Sequence, residues 1–129
     1  MALSVVRLGS PRAKNEGIRI GTVRRPPRGV RKEDYSRLDH FDVWLPQLSP
    51  SAELVHMIKS EQFTASRWKA FERRFVRELS SPDNSRILDL LAALSKITNF
   101  SIGCYCEAED RCHRSILRKE LQKRNAQFT

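Results

Sequence analysis

The order of short apolar segments and amphipathic helices constrains the fold of this chain most. Residues 3–8 are apolar and rich in Val, and residues 18–23 alternate β-branched residues with small or polar ones, so both segments predict strands. A third predicted strand, residues 100–106, follows only after a long stretch of helical periodicity. Because helical crossovers join parallel strands, we predict one α/β domain over residues 1–129, with three layers and a small, mostly parallel sheet covered by helices.

The helices between these strands have recognisable starts. Ser and Pro precede the first helix, Thr64 can cap the second, and Ser81 with Pro82 begins the third. A basic fourth helix is predicted over residues 112–124. The expected buried faces are Leu54, Val55 and Ile58 in the first helix; Trp68, Phe71, Phe75 and Leu79 in the second; Ile87, Leu90, Leu91, Leu94 and Ile97 in the third; and Ile116, Leu117 and Leu121 in the fourth.

Composition narrows the functional class. The chain has 129 residues and a net charge of +9, and no apolar run approaches the roughly 18 residues of a membrane span. Its three cysteines fall within residues 104–112, which is too crowded for the disulfide framework of a secreted protein. These features predict a cytosolic protein that does not bind membranes.

Positive charge is concentrated in two regions that are distant in sequence. Residues 1–40 contain ten Lys and Arg against four Asp and Glu, and residues 111–124 contain six against one. If the fold brings these regions together, they form a positive surface suited to phosphates, nucleotides or nucleic acid.

The sequence CYCEAEDRCHRS, residues 104–115, lies at the predicted turn between the last strand and the last helix. Ligands of open α/β sheets bind at the carboxyl ends of strands, and a helix start attracts anions there. The loop RRPPRG follows the second strand and emerges at the same edge if the two strands are parallel. We therefore predict an anion pocket whose binding residues are Arg24, Arg25, Arg28, Arg111, Arg114 and Ser115.

Four interpretations of the cysteine turn remain open. In the first, Cys106 is a nucleophilic thiolate, although its spacing to Arg111 is one residue short of the phosphatase pattern. In the second, Cys104, Cys106, Cys112 and His113 bind zinc, but adjacent Cys112 and His113 do not easily reach two corners of one tetrahedron.

In the third interpretation, His113 is a general acid or base with a pKa near neutrality. Glu107 or Glu109 would orient its ring, and Arg114 would fix an anion.

In the fourth interpretation, the turn is structural: Cys104 packs in the core, Asp110 caps the helix, and His113 bonds a loop carbonyl. Across these interpretations, the candidate catalytic residues are Cys106, Cys112 and His113. We predict neither a metal nor a cofactor.

Several motifs in the same order resemble the proteins grouped as domain of unknown function 488. They span residues 18–121 and comprise Pro27-Arg28-Gly29, the Pro50, Ser51 and Leu54 element after Trp44, the Trp68, Phe71, Glu78 and Leu79 helix, Cys106-Glu107, and Cys112-His113-Arg114-Ser115. In one branch of that family a tryptophan precedes Pro-Arg-Gly, whereas here Pro26 takes its place. The resemblance implies a small α/β domain and favours the anion pocket over a purely structural turn.

The sequence thus predicts a domain that binds an anionic, phosphate-bearing small molecule where Arg24, Arg25 and Arg28 meet the turn of residues 106–115. Cysteine- or histidine-dependent chemistry is the accompanying hypothesis. The alternative is a nucleic-acid-associated binding module without catalysis, which rests on the charge of +9.

Overall fold

Four parallel strands form the sheet at the centre of the protein. A computed structural model describes residues 1–60, 62–106 and 108–129. The strands are β1 (Leu3–Arg7), β2 (Ile18–Gly21), β3 (Val43–Trp44) and β4 (Phe100–Cys104), in the spatial order β1-β4-β2-β3. Each neighbouring pair is parallel, so the predicted α/β class is confirmed. The two-residue strand β3 was not among the predicted strands.

Four α-helices are seen in the described residues: α1 (Ala52–Ser60), α2 (Ala65–Leu79), α3 (Pro82–Leu94) and α4 (His113–Lys123). Short 3₁₀ turns occupy Lys32–Asp34, Pro46–Leu48 and Glu109–Arg111. The predicted caps are confirmed, since Thr64 accepts a hydrogen bond from the Arg67 amide and Ser81 accepts one from the Asn84 amide. Within the described part of the chain, no helix is long and apolar enough to cross a membrane.

One face of the sheet packs against all four helices. Its side chains are Leu3, Ile20, Phe100 and Ile102, and they share a core with Leu54 of α1, Phe71, Phe75 and Leu79 of α2, Leu88, Leu91 and Ala92 of α3, and Ile116, Leu117 and Leu121 of α4. This apolar burial is the main force that holds the layers together.

The predicted buried face of α3 is wrong at two positions. Leu90 is 58% exposed, and Ile97, which lies beyond the end of the helix, is 67% exposed. The helix buries the predicted Leu91 together with Leu88 and Ala92, and the predicted Ile87 and Leu94 pack partly buried against the core. The periodicity of the sequence is compatible with the predicted face and with the observed one. The contacts of α3 with the neighbouring elements determine which face is buried.

A buried ion pair lies on the opposite face of the sheet, where loops form the covering layer. Arg19 of β2 is fully buried, and its Nε and Nη2 donate to the two carboxylate oxygens of Glu16 at 2.8 and 3.0 Å. Arg19 Nη1 also donates to the carbonyls of Ser10 and Asp39, and the Ser101 hydroxyl donates to Glu16. These bonds attach two loops to the sheet. Although burial alone would raise it, the bonds from Arg19 and Ser101 lower the pKa of Glu16 to about 2.

We expect this ion pair to make stability pH-dependent below pH 4.5. Because the folded pKa of Glu16 is lower than its ordinary value of 4.5, its contribution is complete above pH 4.5 and is lost as the pH falls toward 2. Glu16→Gln should lower the free energy of unfolding near neutral pH by about 3 kcal/mol, because it leaves Arg19 buried without an anion. Urea unfolding at several pH values measures both effects.

The control is Glu53→Gln, which removes a largely exposed carboxylate 3.8 Å from Arg74. It should change stability by less than about 0.5 kcal/mol. Equal losses in the two variants would contradict the role of the buried pair.

Candidate functional site

The carboxyl ends of β1, β2 and β4 meet at one edge of the sheet. Gly103 of β4 lies in register between Val6 of β1 and Gly21 of β2. A Cβ atom at Gly103 would lie 2.8 Å from the Val6 carbonyl oxygen, so this close approach of the strands requires glycine. The loops after β2 and β4 therefore leave the sheet side by side.

A cavity of about 550 Å³ opens at this edge. Its size suits a small organic ligand. The described lining residues come from the loop after β2, the segment that enters α1, α1 itself, the first turns of α2 and the cysteine turn: Val23, Arg24, Arg25, Ser49, Pro50, Ala52, Val55, His56, Ile58, Lys59, Trp68, Phe71, Tyr105, Cys106, Arg111, Cys112 and His113.

The predicted arginines of the early loop divide into two groups. Arg24 and Arg25 line the cavity together with the cysteine turn. Arg24 is held in place because its guanidinium donates to the carbonyls of Ser49 and Pro50. Arg28 is exposed and is not among the described lining residues. The ligand-binding role of these arginines stays a prediction.

The three cysteine side chains meet beside the cavity. All three Sγ atoms lie within 4.8 Å of one another, and Cys104 Sγ is 2.7 Å from Cys112 Sγ. Cys104 and Cys112 are buried, whereas Cys106 is exposed. The residues come from the end of β4, the following loop and the position just before α4, so the fold of the whole turn brings them together.

The cluster favours negative charge on Cys106. Hydrogen bonds from the Cys104 and Cys112 thiols, with the positive charge of Arg114, lower the pKa of Cys106 far below its ordinary value. Contacts with Cys106 and Cys112, together with burial, raise the pKa of Cys104. The Cys104 contact alone would lower the pKa of Cys112, but Cys106 and burial raise it overall. Of the three sulfurs, the exposed one of Cys106 is therefore the one on which the cluster favours negative charge.

Arg114 is buried below the turn and is not among the described residues that line the cavity. It is only 3% exposed, and its two terminal nitrogens donate to the carbonyls of Val6 and Cys106 at 2.7 and 2.6 Å. Its Nε has no hydrogen-bond partner among the described residues. In the structure this guanidinium joins β1 to the cysteine turn, and its predicted role toward a ligand stays a prediction.

His113 differs from the expected acid–base residue. Its Nε2 lies 2.6 Å from the Thr22 carbonyl oxygen, which can only accept, so Nε2 carries the proton and the lone pair of Nδ1 faces Cys112 Sγ at 3.7 Å. Burial lowers the pKa of His113 to about 4. The expected pKa near neutrality is therefore wrong, and the ring is neutral at pH 7.

Other predicted residues of the turn have contacts of their own. Arg111 lines the cavity, and its guanidinium lies 4.4 Å from the centre of the Phe63 ring. The Ser115 hydroxyl donates to the Cys112 carbonyl, and its role toward a ligand stays a prediction. The expected cap of α4 is wrong, because Cys112 occupies that position and Asp110 lies in the preceding 3₁₀ turn.

Neither predicted carboxylate is seen to orient His113. Glu109 accepts two hydrogen bonds from the Arg118 guanidinium, at 2.7 and 3.1 Å. This contact lowers the pKa of Glu109 and holds its carboxylate against α4. Glu107 lies outside the described residues.

The apolar wall of the cavity was not predicted from the sequence. Trp68 and Phe71 pack with the core, as expected, but both also line the cavity, and their ring centres are 5.2 Å apart in a stacked arrangement. Tyr105 lines it too, and its hydroxyl is 2.8 Å from His40 Nδ1. The signal that could have found Trp68 is its place in the first turn of α2, at the end of the apolar stripe.

These observations define the class of the protein: a small α/β domain with a parallel sheet and a cysteine-bearing strand–helix turn at its carboxyl edge. Residues 3–125 match the model of a family, DUF488-N3a, that is described as the active DUF488-N3 subclade. The chain belongs to the DUF488 family, as the resemblance indicated. No curated protein and no solved structure matches the chain significantly.

We expect Arg114 to be important for stability, in contrast to the nearby Arg111. Arg114→Gln removes two charge-assisted hydrogen bonds to carbonyls, and the free energy of unfolding should fall by about 3 kcal/mol. Arg111→Gln removes the same charge from an exposed site and should cost less than about 1 kcal/mol. Urea unfolding of the reduced protein compares the two, and similar losses would contradict the structural assignment of Arg114.

Proposed function

We propose that the protein binds an anionic, phosphate-bearing small molecule in the cavity at the carboxyl edge of the sheet, and that Cys106 is the nucleophile facing this ligand. One observation carries the proposal: Arg24 and Arg25 line the same cavity as Cys106. A positive loop and a thiol that are distant in sequence therefore face one ligand volume.

The charge of the lining supports an anionic ligand. Arg24, Arg25, Lys59 and Arg111 are cationic, and no Asp or Glu is among the described lining residues. Because Arg24 is already held by two carbonyls, its charge is positioned before the ligand arrives, and little side-chain entropy is lost on binding. Such cations suit phosphate oxygens.

The other part of the lining favours a ligand that also has an apolar or aromatic group. Val55 and Ile58 of α1 and Trp68 and Phe71 of α2 form this wall. An aromatic group against Trp68 would bury apolar surface while the anionic group meets the arginines. Because an inorganic anion uses only the basic part of this lining, an organic phosphate should bind more tightly.

Cys106 is suited to reaction because it is the exposed member of the thiol cluster. In the proposed step its sulfur donates an electron pair to an electrophilic atom of the ligand, and the bond from that atom to the leaving group breaks. The leaving group departs with the electron pair of that bond, and a thioether, thioester or thiophosphate bond to Cys106 remains, according to the electrophile.

Binding is tested with two arginines of one loop. Both Arg25 and Arg28 are exposed, but only Arg25 is among the described lining residues, so the two substitutions differ in position and not in charge. We expect Arg25→Gln to weaken binding of inorganic pyrophosphate about tenfold, the effect of one charge-assisted hydrogen bond. Arg28→Gln should leave it nearly unchanged. Isothermal titration at constant ionic strength measures both.

Two results would contradict the binding proposal. One is the absence of pyrophosphate binding by the unmodified protein. The other is an equal effect of both substitutions with a steep dependence on salt, which would indicate diffuse attraction of polyanions and favour the nucleic-acid interpretation.

The nucleophile is tested by labelling the native, reduced protein with iodoacetamide in the presence of a metal chelator. Cys106 should react first, because Cys104 and Cys112 are buried. Peptide mapping should find the first label on Cys106, at a rate above that of a free peptide thiol at neutral pH, and Cys106→Ser should abolish fast labelling. A Cys106 rate no higher than that of the peptide would exclude an activated thiol.

A further inference from the structure

The thiol cluster has the dimensions of a metal site. The Sγ atoms of Cys104, Cys106 and Cys112 lie within 4.8 Å of one another. Two sulfur ligands on one tetrahedral zinc ion are about 3.8 Å apart, given a Zn–S bond of about 2.3 Å. Cys104 and Cys112, now 2.7 Å apart, would separate by about 1 Å on binding such an ion.

The charge around the cluster also fits a divalent ion. Three thiolates and one divalent cation together have a single net negative charge. The guanidinium of Arg114 is buried beside the turn, it donates to the neutral carbonyls of Val6 and Cys106, and its Nε has no hydrogen-bond partner among the described residues. The single negative charge of the metal complex would lie beside this buried cation and balance it.

The fourth coordination position would face the cavity. Cys106 and Cys112 both line the cavity, so an ion held by the sulfurs is accessible from that side. His113 is not one of the mutually close ligand residues, although its Nδ1 is 3.7 Å from Cys112 Sγ. Three protein ligands with one open position are typical of reactive zinc sites.

We propose that Cys104, Cys106 and Cys112 bind one zinc-class divalent ion, with its fourth position open to the cavity. This inference goes beyond the proposed function, because anion binding by the arginines does not require the ion. Binding releases the protons that the three sulfurs carry in the metal-free protein. A bound ion occupies the sulfur of Cys106, so the loaded form is protected from thiol reagents.

The experiment titrates the reduced, metal-free protein with Cd²⁺ and follows the thiolate-to-metal absorption band. We expect one ion per chain and a band intensity of three thiolates. Cys106→Ser, which changes the exposed ligand, should lower the affinity at least about 100-fold, more than the loss of an outer-shell partner. Competition with a chromophoric chelator should give the same order of affinities for Zn²⁺.

The control variant is Glu53→Gln, which removes a largely exposed carboxylate that is not among the described lining residues. It should bind Cd²⁺ as the unmodified protein does. Loss of binding in Glu53→Gln but not in Cys106→Ser would identify an adventitious surface site and overturn the proposal. The proposal would also be overturned if the protein has three titratable thiols but gives no thiolate-to-metal absorption band with Cd²⁺.

The outcome is independent of the arginine experiment. Pyrophosphate binding is measured on metal-free protein and depends on Arg25, whereas Cd²⁺ binding depends on Cys106. A chain that binds pyrophosphate but no Cd²⁺ retains the proposed function and lacks the metal site. A chain that binds Cd²⁺ but no pyrophosphate has the metal site and lacks the proposed function.

Discussion

The buried guanidinium of Arg114 is the constraint on which the candidate site depends. Its hydrogen bonds to the carbonyls of Val6 and Cys106 hold the end of β1 against the cysteine turn. A cation in this place needs compensating groups, because burial removes its hydration. The two carbonyls supply part of that compensation, and the thiol cluster supplies negative charge. Arg114 therefore fixes the position of the turn, and its charge adds to the contacts with Cys104 and Cys112 that lower the pKa of Cys106.

The parallel sheet determines which chemical groups meet. Because β1, β4 and β2 run in the same direction, the loops after β2 and β4 leave from one edge. Gly103 permits the close packing of this edge, and Arg24 then reaches the carbonyls of Ser49 and Pro50 before α1. The basic loop is thus attached to the segment that begins the apolar wall. A cavity with one cationic side and one apolar side follows from the topology.

Local signals predicted the elements well, and long-range contacts explain what was missed. Thr64 and Ser81 mark helix starts because a cap depends on residues three positions away. The buried face of α3 depends on neighbouring elements, so periodicity wrongly included Leu90. Likewise, no local pattern shows that Arg114 lies under the turn instead of in the cavity, since its carbonyl partner at Val6 is distant in sequence. The strand order predicted the edge of the sheet at which the candidate site lies. Only the three-dimensional structure shows which arginines line the cavity and which one is buried under the turn.

The same geometry explains how one turn can suit both a thiol nucleophile and a metal ion. The neighbouring thiols of Cys104 and Cys112 favour negative charge on Cys106, and deprotonation of those thiols would turn the same three sulfurs into ligands. The first state is a metal-free cluster with one thiolate, and the second is a metal complex with three. The two states differ in the number of protons on the sulfurs. Arg114 provides a single positive charge, which matches one thiolate in the first state and the net charge of a trithiolate complex with a divalent ion in the second. The same positive charge of Arg114 therefore suits both the thiolate state and the metal complex.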